Sequence, residues 1–249
     1  MKERIAADFP RVRAELGELV RIAGCAFPGF PDEEIERACA HVMALYRAAG
    51  FPRVERLDID GGTPAVLAEA PGPRGSPTVL LYAHYDVQPA GDLTLWDSPP
   101  FEPTERDGRL YGRGAADDKS GVVVHAAVLR AFDGHPPCTL RVIVEGDEEW
   151  GGPLAEYPRQ NPDLFAADAI VVADVGNARL GEPTLTTALR GMAAVTVECR
   201  TLTGAVHSGM FGGPAPDALM ALIGLLATLR ASALPSRRPA SSSPRVPCS

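Results

Sequence analysis

Three short, largely apolar runs restrict this chain more than anything else in it. They are Thr78-Val79-Leu80-Leu81-Tyr82-Ala83, Thr139-Leu140-Arg141-Val142-Ile143-Val144 and Ala169-Ile170-Val171-Val172-Ala173. The first is continuously apolar and short, as a strand buried on both faces is; the other two read as strands of similar length. Between the first two, Val122, Val123, Ala126, Ala127 and Leu129 favour a helix over 119–132. Strands alternating with helices imply an α/β layer architecture with a largely buried sheet.

The flanking segments fit that frame. Ile5, Phe9, Val12, Leu16, Leu19, Val20 and Ile22 recur at spacings near three and four, which predicts a helix over 3–23 with one buried face. A second helix is predicted from Asp32, as its cap, to about Ala49, with Gly50 beyond its end. The stretch 53–70, broken by Gly61-Gly62, reads as two short strands and a turn. Residues 88–112 read as a long ordered loop with a hairpin near Gly108. After about Leu185 the pattern changes: Ala193–Arg200 alternates like a half-exposed strand, and 216–230 reads as an apolar helix. These mark the opening of a second, α+β domain.

The final segment is unlike the rest. Residues 218–249 contain no acidic side chain, and proline, serine and arginine dominate from Pro235 onward. That composition cannot bury enough apolar surface to order itself. Residues 233–249 are expected to be either a disordered tail or sequence out of frame beyond about Leu229, the second being the favoured reading.

A formal charge of −8 argues against a nucleic-acid partner, because phosphate binding needs a basic face. No apolar stretch approaches the roughly 20 residues of a membrane span, so no membrane partner is expected. The N-terminal Met-Lys-Glu-Arg-Ile lacks the apolar segment of a signal peptide. The five cysteines are scattered, with no CxxC pair, which fits a reduced, cytoplasmic setting.

Chemistry-bearing residues follow the apolar runs. His84 and Asp86 are two apart on extended backbone, so Asp86 can accept the second ring proton of His84 and fix which nitrogen faces a metal. Asp117-Asp118 follows a Gly-Arg-Gly turn and opens a helix; an aspartate there either caps the helix or bridges two cations. Glu148-Glu149 follows a strand and must lie in a bend for both to serve one site, one as a ligand and the other as general base. Asp174 ends the third run. In open α/β sheets the functional crevice lies beyond the carboxyl ends of the strands, and several elements delivering ligand-type residues there reinforce one another.

The segments HYDVQP, YGRGAADDKSG, EGDEEWGG, VVADVGN and VHSGMFGG, in that order, resemble the dinuclear zinc metallopeptidase family of carnosinase-type dipeptidases, aminoacylases, glutamate carboxypeptidase and succinyl-diaminopimelate desuccinylase. The match spans roughly residues 1–229 and is nearest the dipeptidase branch through Tyr82–Pro89 and Trp96–Phe101. The resemblance implies a mixed sheet flanked by helices in a catalytic domain over 1–186, and part of a lid and dimerisation domain over 187–232. It implies that His84 and Asp174 hold one zinc, that Asp117 bridges to a second zinc held by Glu149, and that cobalt or manganese could substitute. By the same resemblance Glu148 is the general base and Asp86 the partner of His84. The Asp117–Asp118 bond is expected to be cis. His207 resembles a lid histidine that reaches a partner subunit's active site to steady an oxyanion, and Gly212 and Gly213 let amides approach a substrate carboxylate.

The implied reaction is amide hydrolysis of dipeptides or short peptides by a homodimer, with N-acyl amino acid deacylation as the neighbouring alternative. The family pattern also calls for a downstream histidine as a further zinc ligand, and no histidine follows His207. The catalytic domain is therefore expected to lack its C-terminal part, and the polypeptide to be impaired. A remnant that only binds metal or pairs through its lid is the reading from a different class.

Overall fold

The structure, a computed structural model, describes residues 1–179 and 181–231. Residues 232–249, which include nearly all of the anomalous tail, lie outside the described residues. The chain divides into two compact units, Met1–Thr187 and Ala188–Ser249.

In the first unit, helices α1 (Lys2–Val20), α2 (Asp32–Ala49) and α3 (Lys119–Ala131) and the short helices α4 (Tyr157–Gln160) and α5 (Pro162–Phe165) accompany strands β1 (Arg53–Leu57), β2 (Ala65–Ala70), β3 (Thr78–His84), β4 (Thr104–Arg106), β5 (Arg109–Tyr111), β6 (Thr139–Glu145) and β7 (Ala169–Val172). Five of these strands form one mixed sheet in the order β1-β2-β6-β3-β7. β3 lies between β6 and β7 and is parallel to both, whereas β1–β2 and β2–β6 are antiparallel. β4 and β5 form a separate hairpin, turned by Asp107 and Gly108 at positive φ. The fold class is thus the α/β mixed sheet flanked by helices that the sequence predicts.

Burial follows from the sequence pattern on one side. The central strands β2, β3 and β6 place Val66, Ala68, Leu81, Ala83, Val142 and Val144 against Val42, Tyr46, Val122 and Ala126 from α2 and α3. Burying each large side chain contributes roughly 1.5–3 kcal/mol. A smaller cluster of Ile59, Leu67, Leu80, Ile143 and Leu154 covers the other face.

Two local expectations need correction. Helix α1 is buried only at its C-terminal end: Leu19, Val20 and Ile22 are inside, while Ile5 and Phe9 are more than half exposed. Asp32 is the first residue of α2, whose cap is Pro31, and no side chain makes a capping bond there. β7 forms where the sequence predicts a strand. It stands at the sheet edge, bonded to β3, and Ile170, Val171 and Val172 are 60%, 44% and 47% exposed.

The second unit contains a four-residue helix α6 (Ser208–Phe211) and the apolar helix α7 (Ala218–Ala231). No strand forms over Ala193–Arg200, so the alternation there is not matched by sheet pairing among the described residues. No helix of the described residues is long and apolar enough to cross a membrane.

One glycine anchors the fold to the site. A Cβ at Gly146, just past β6, would lie 2.3 Å from the Tyr85 hydroxyl and 2.5 Å from its ring. Tyr85 is fully buried and its hydroxyl donates to Pro64 O at 2.5 Å, so the ring has no room to retreat. Gly146→Ala is expected to destabilise the protein by about 1–3 kcal/mol, the range for overpacking; an unchanged urea midpoint would refute this.

Candidate metal centre

Because β3, β6 and β7 are parallel to one another, their carboxyl ends converge on one edge of the sheet. β3 ends in His84, β6 runs into Glu148-Glu149, and Asp174 lies just beyond β7. The turn before α3 brings Asp117 and Asp118 to the same place. Local structure explains each delivery. Glu148–Trp150 forms a 3-10 turn closed by Gly151 in the left-handed region, which supplies the bend that neighbouring glutamates require. Asp118 caps α3 by accepting from Gly121 N at 3.3 Å, and it also accepts from His84 N at 3.2 Å. That leaves Asp117 free of capping. The Asp117–Asp118 peptide is cis.

His84 is the centre of the arrangement. Its Nε2 lies 3.1 Å from Asp117 Oδ1, 3.8 Å from Asp174 Oδ2 and 3.9 Å from Glu148 Oε2. On the other side of the ring, Nδ1 is 3.2 Å from Asp86 Oδ1. Asp86 is fully buried and its carboxylate also accepts from Glu148 N at 3.2 Å and Glu149 N at 3.1 Å. One acid thus orients the imidazole and holds the Glu148-Glu149 turn. Ligand-type atoms fall into two overlapping groups whose members lie within 4.8 Å of one another: His84, Asp118 and Asp174, and His84, Asp117 and Glu149. Asp118 differs from the rest of the candidates because its oxygens are already engaged by two backbone amides.

The electrostatics describe a pocket short of positive charge. Burial opposes a charged His84 ring, yet the hydrogen bond and charge of Asp86, with Asp118 and Asp174 beyond, outweigh it and raise the pKa to about 10. Burial raises Glu148 and Asp174 above the ordinary carboxylate range although His84 pulls the other way, and neighbouring acids push them further. Burial likewise brings Asp118 up to about 7, against the pull of His84. One imidazole nitrogen and several carboxylate oxygens, crowded enough to hold protons back, form a donor set suited to divalent metal ions. The residues present fit such ions.

Several contributors lie outside the sequence expectation. Gln88 donates from Nε2 to Glu149 Oε2 at 2.8 Å and to Glu149 O at 3.2 Å, holding that carboxylate in place. Its position two residues after Asp86 could have identified it, by the same alternation that joins Asp86 to His84. Asp147, nearly buried, accepts from Thr63 N at 2.9 Å. Burial raises Glu145 to about 7, and Tyr82 donates to it at 2.6 Å. A cavity of about 380 Å³ opens beside Glu148, lined by Tyr82, Glu145, Leu154, Pro158 and Phe165.

His84, Asp86, Asp117, Glu148, Glu149 and Asp174 therefore meet within the first unit. His207, Gly212 and Gly213 belong to the second. There His207 caps α6 with its backbone, its carbonyl accepting from Met210 N and Phe211 N, and Gly213 adopts a φ of +103°.

This sheet edge gathers a histidine and several acids at parallel strand ends, a donor set able to hold divalent metal ions. The chain belongs to peptidase family M20/M25/M40, whose model matches residues 80–232. It is 41% identical over 221 residues to a cysteinylglycine-S-conjugate dipeptidase from Corynebacterium striatum, covering 87% of this chain and 48% of that protein. It is 32% identical over 227 residues to the human beta-Ala-His dipeptidase, covering 88% of this chain and 43% of that one. Among solved structures, human carnosine dipeptidase 1 matches with a TM-score of 0.66 at 29% identity, over 90% of this chain and 50% of that chain. The chain spans about half the length of the curated relatives it matches.

Asp86→Asn removes one acceptor from a three-way junction while preserving shape. It is expected to weaken divalent-metal affinity about 10–100-fold, as loss of a partner behind a metal ligand does. Competition against a coloured chelator measures this, and an affinity equal to wild type would count against the role of Asp86.

Proposed function

We propose that this chain carries the metal-binding part of a dinuclear-metal dipeptidase centre that hydrolyses the amide bond of dipeptides or short peptides. The observation that carries the proposal is the convergence of Asp117, Glu148 and Asp174 within 4 Å of a single ring nitrogen of His84. In this reading His84, Asp117 and Asp174 hold one ion, and Asp117 and Glu149 the other, with zinc as the metal. Two bound divalent ions would supply Lewis acidity and a water of lowered pKa.

The residues of the chain do the remainder. Asp86 holds the His84 ring with Nε2 towards the acids. Glu148, two-fifths exposed and raised in pKa by burial, accepts a proton from water and returns it to the leaving amine. Gln88 keeps Glu149 turned for its part. Leu154, Pro158 and Phe165 form an apolar flank beside Glu148. His207 is assigned to steadying the carbonyl oxygen, and Gly212 and Gly213 to the substrate carboxylate. A homodimer through the second unit, in a cytoplasmic setting, is part of the same proposal.

The second ion has only two protein donors among these residues, Asp117 and Glu149, where zinc ordinarily takes three or four. The 249-residue polypeptide is therefore proposed to bind one ion firmly and the second weakly, and to hydrolyse dipeptides slowly. Metal titration by calorimetry tests the first point; two tightly held ions and rapid turnover would refute it. Glu148→Gln is expected to retain the firm ion while lowering the zinc-supported hydrolysis rate roughly 100-fold or more, the scale of a general base. An unaltered rate would remove Glu148 from that role, and absence of any firm ion would remove the metal centre.

A further inference from the structure

Lys119 is the one fully buried lysine among the described residues, and the chemistry above does not use it. Its Nζ donates to Leu19 O at 3.1 Å and to Ile22 O at 2.6 Å, at the C-terminal end of α1. Carbonyls at a helix end lack partners within the helix; Leu19 O also accepts from Ile22 N at 3.1 Å, so the lysine adds a second tie to a helix end already partly closed. The same stretch of chain also holds the other half of the site. Val87, the residue after Asp86, donates its amide to Gly24 O at 2.9 Å.

The segment from Leu19 to Gly24 is thus a common anchor. One turn attached to it carries His84 and Asp86, and the other carries Asp117. The second turn is closed by Lys119 N, which donates to Gly114 O at 3.1 Å. The two turns also touch: a Cβ on Gly114 would lie 2.6 Å from Val87 Cγ1 and 3.0 Å from Lys119 Cδ. Asp117 itself has a side chain 66% exposed, and its Oδ1 lies 3.1 Å from the His84 ring nitrogen. Its position comes from its backbone, pinned on one side by Asp118 and Lys119.

We infer that Lys119 is a positioning residue for the metal centre: by tying the Asp117 turn to the end of α1, it sets the separation between Asp117 and His84. This rests on the metal-centre reading above, and the test separates the two. Wild-type protein, Lys119→Met and Lys119→Arg are titrated with cobalt(II), following the visible ligand-field spectrum and, in parallel, circular dichroism.

Wild type is expected to bind cobalt. Lys119→Met, with its dichroism intact, is expected to bind it about tenfold more weakly and with a changed spectrum, and Lys119→Arg to recover part of both. Unchanged affinity and spectrum in Lys119→Met overturn the inference while leaving the metal centre standing. A wild type that binds no cobalt overturns both. Should Lys119→Met fail to fold, amide exchange on the wild type decides. Cobalt should slow exchange over 17–24 together with 112–119, and protection confined to 112–119 overturns the coupling.

Discussion

The buried carboxylate of Asp86 is the constraint on which the rest of the centre depends. It lies against the Nδ1 face of His84 and accepts the amides of both Glu148 and Glu149. A charged acceptor makes each such bond worth about 1.5–3 kcal/mol, more than a neutral one. Without it, two part-buried amides and a buried imidazole would lose their partner together. The β3 and β6 ends are hydrogen-bonded neighbours in the sheet, but sheet pairing alone leaves side chains free to rotate. Asp86 converts adjacency of backbone into a defined direction for a ring and two glutamates.

Around that junction the fold supplies rigidity in layers. Parallel pairing of β3 with β6 and β7 brings their ends to one edge. Asp118 joins the start of α3 to the His84 amide, and His125 on the same helix lies 2.9 Å from the Tyr82 carbonyl, which also accepts from Ala173 N. The strand end before Asp174 is therefore tied to the helix that begins beside Asp117. Burial and mutual repulsion keep the acids poised for a cation. The same field that raises their pKa makes positive charge welcome.

Most of the site was legible in the sequence because its residues sit where an apolar run stops, and period-two alternation places Asp86 beside His84. The division of labour within Asp117-Asp118 was not legible. Either aspartate can cap a helix on paper, and only the bonds to Gly121 N and His84 N show Asp118 taking that part. Lys119 escaped notice for a different reason. Its acceptors lie 100 and 97 residues away, on a helix end that no local pattern connects to it. Ala169–Val172 forms the strand that its composition predicts, though an apolar composition records what a strand can bury and not whether anything lies against it. Residues 193–200 differ: alternation suits a strand, yet a strand requires a neighbour.

The state of β7 has a practical side. An uncharged strand with an open edge is a template for pairing with another molecule. Ala169–Val172 carries no lysine, proline or bulge to deter it. When nothing else lies along that edge, self-association in concentrated solution would start there, two residues before Asp174. A lysine introduced at Val171 is the natural guard against clumping.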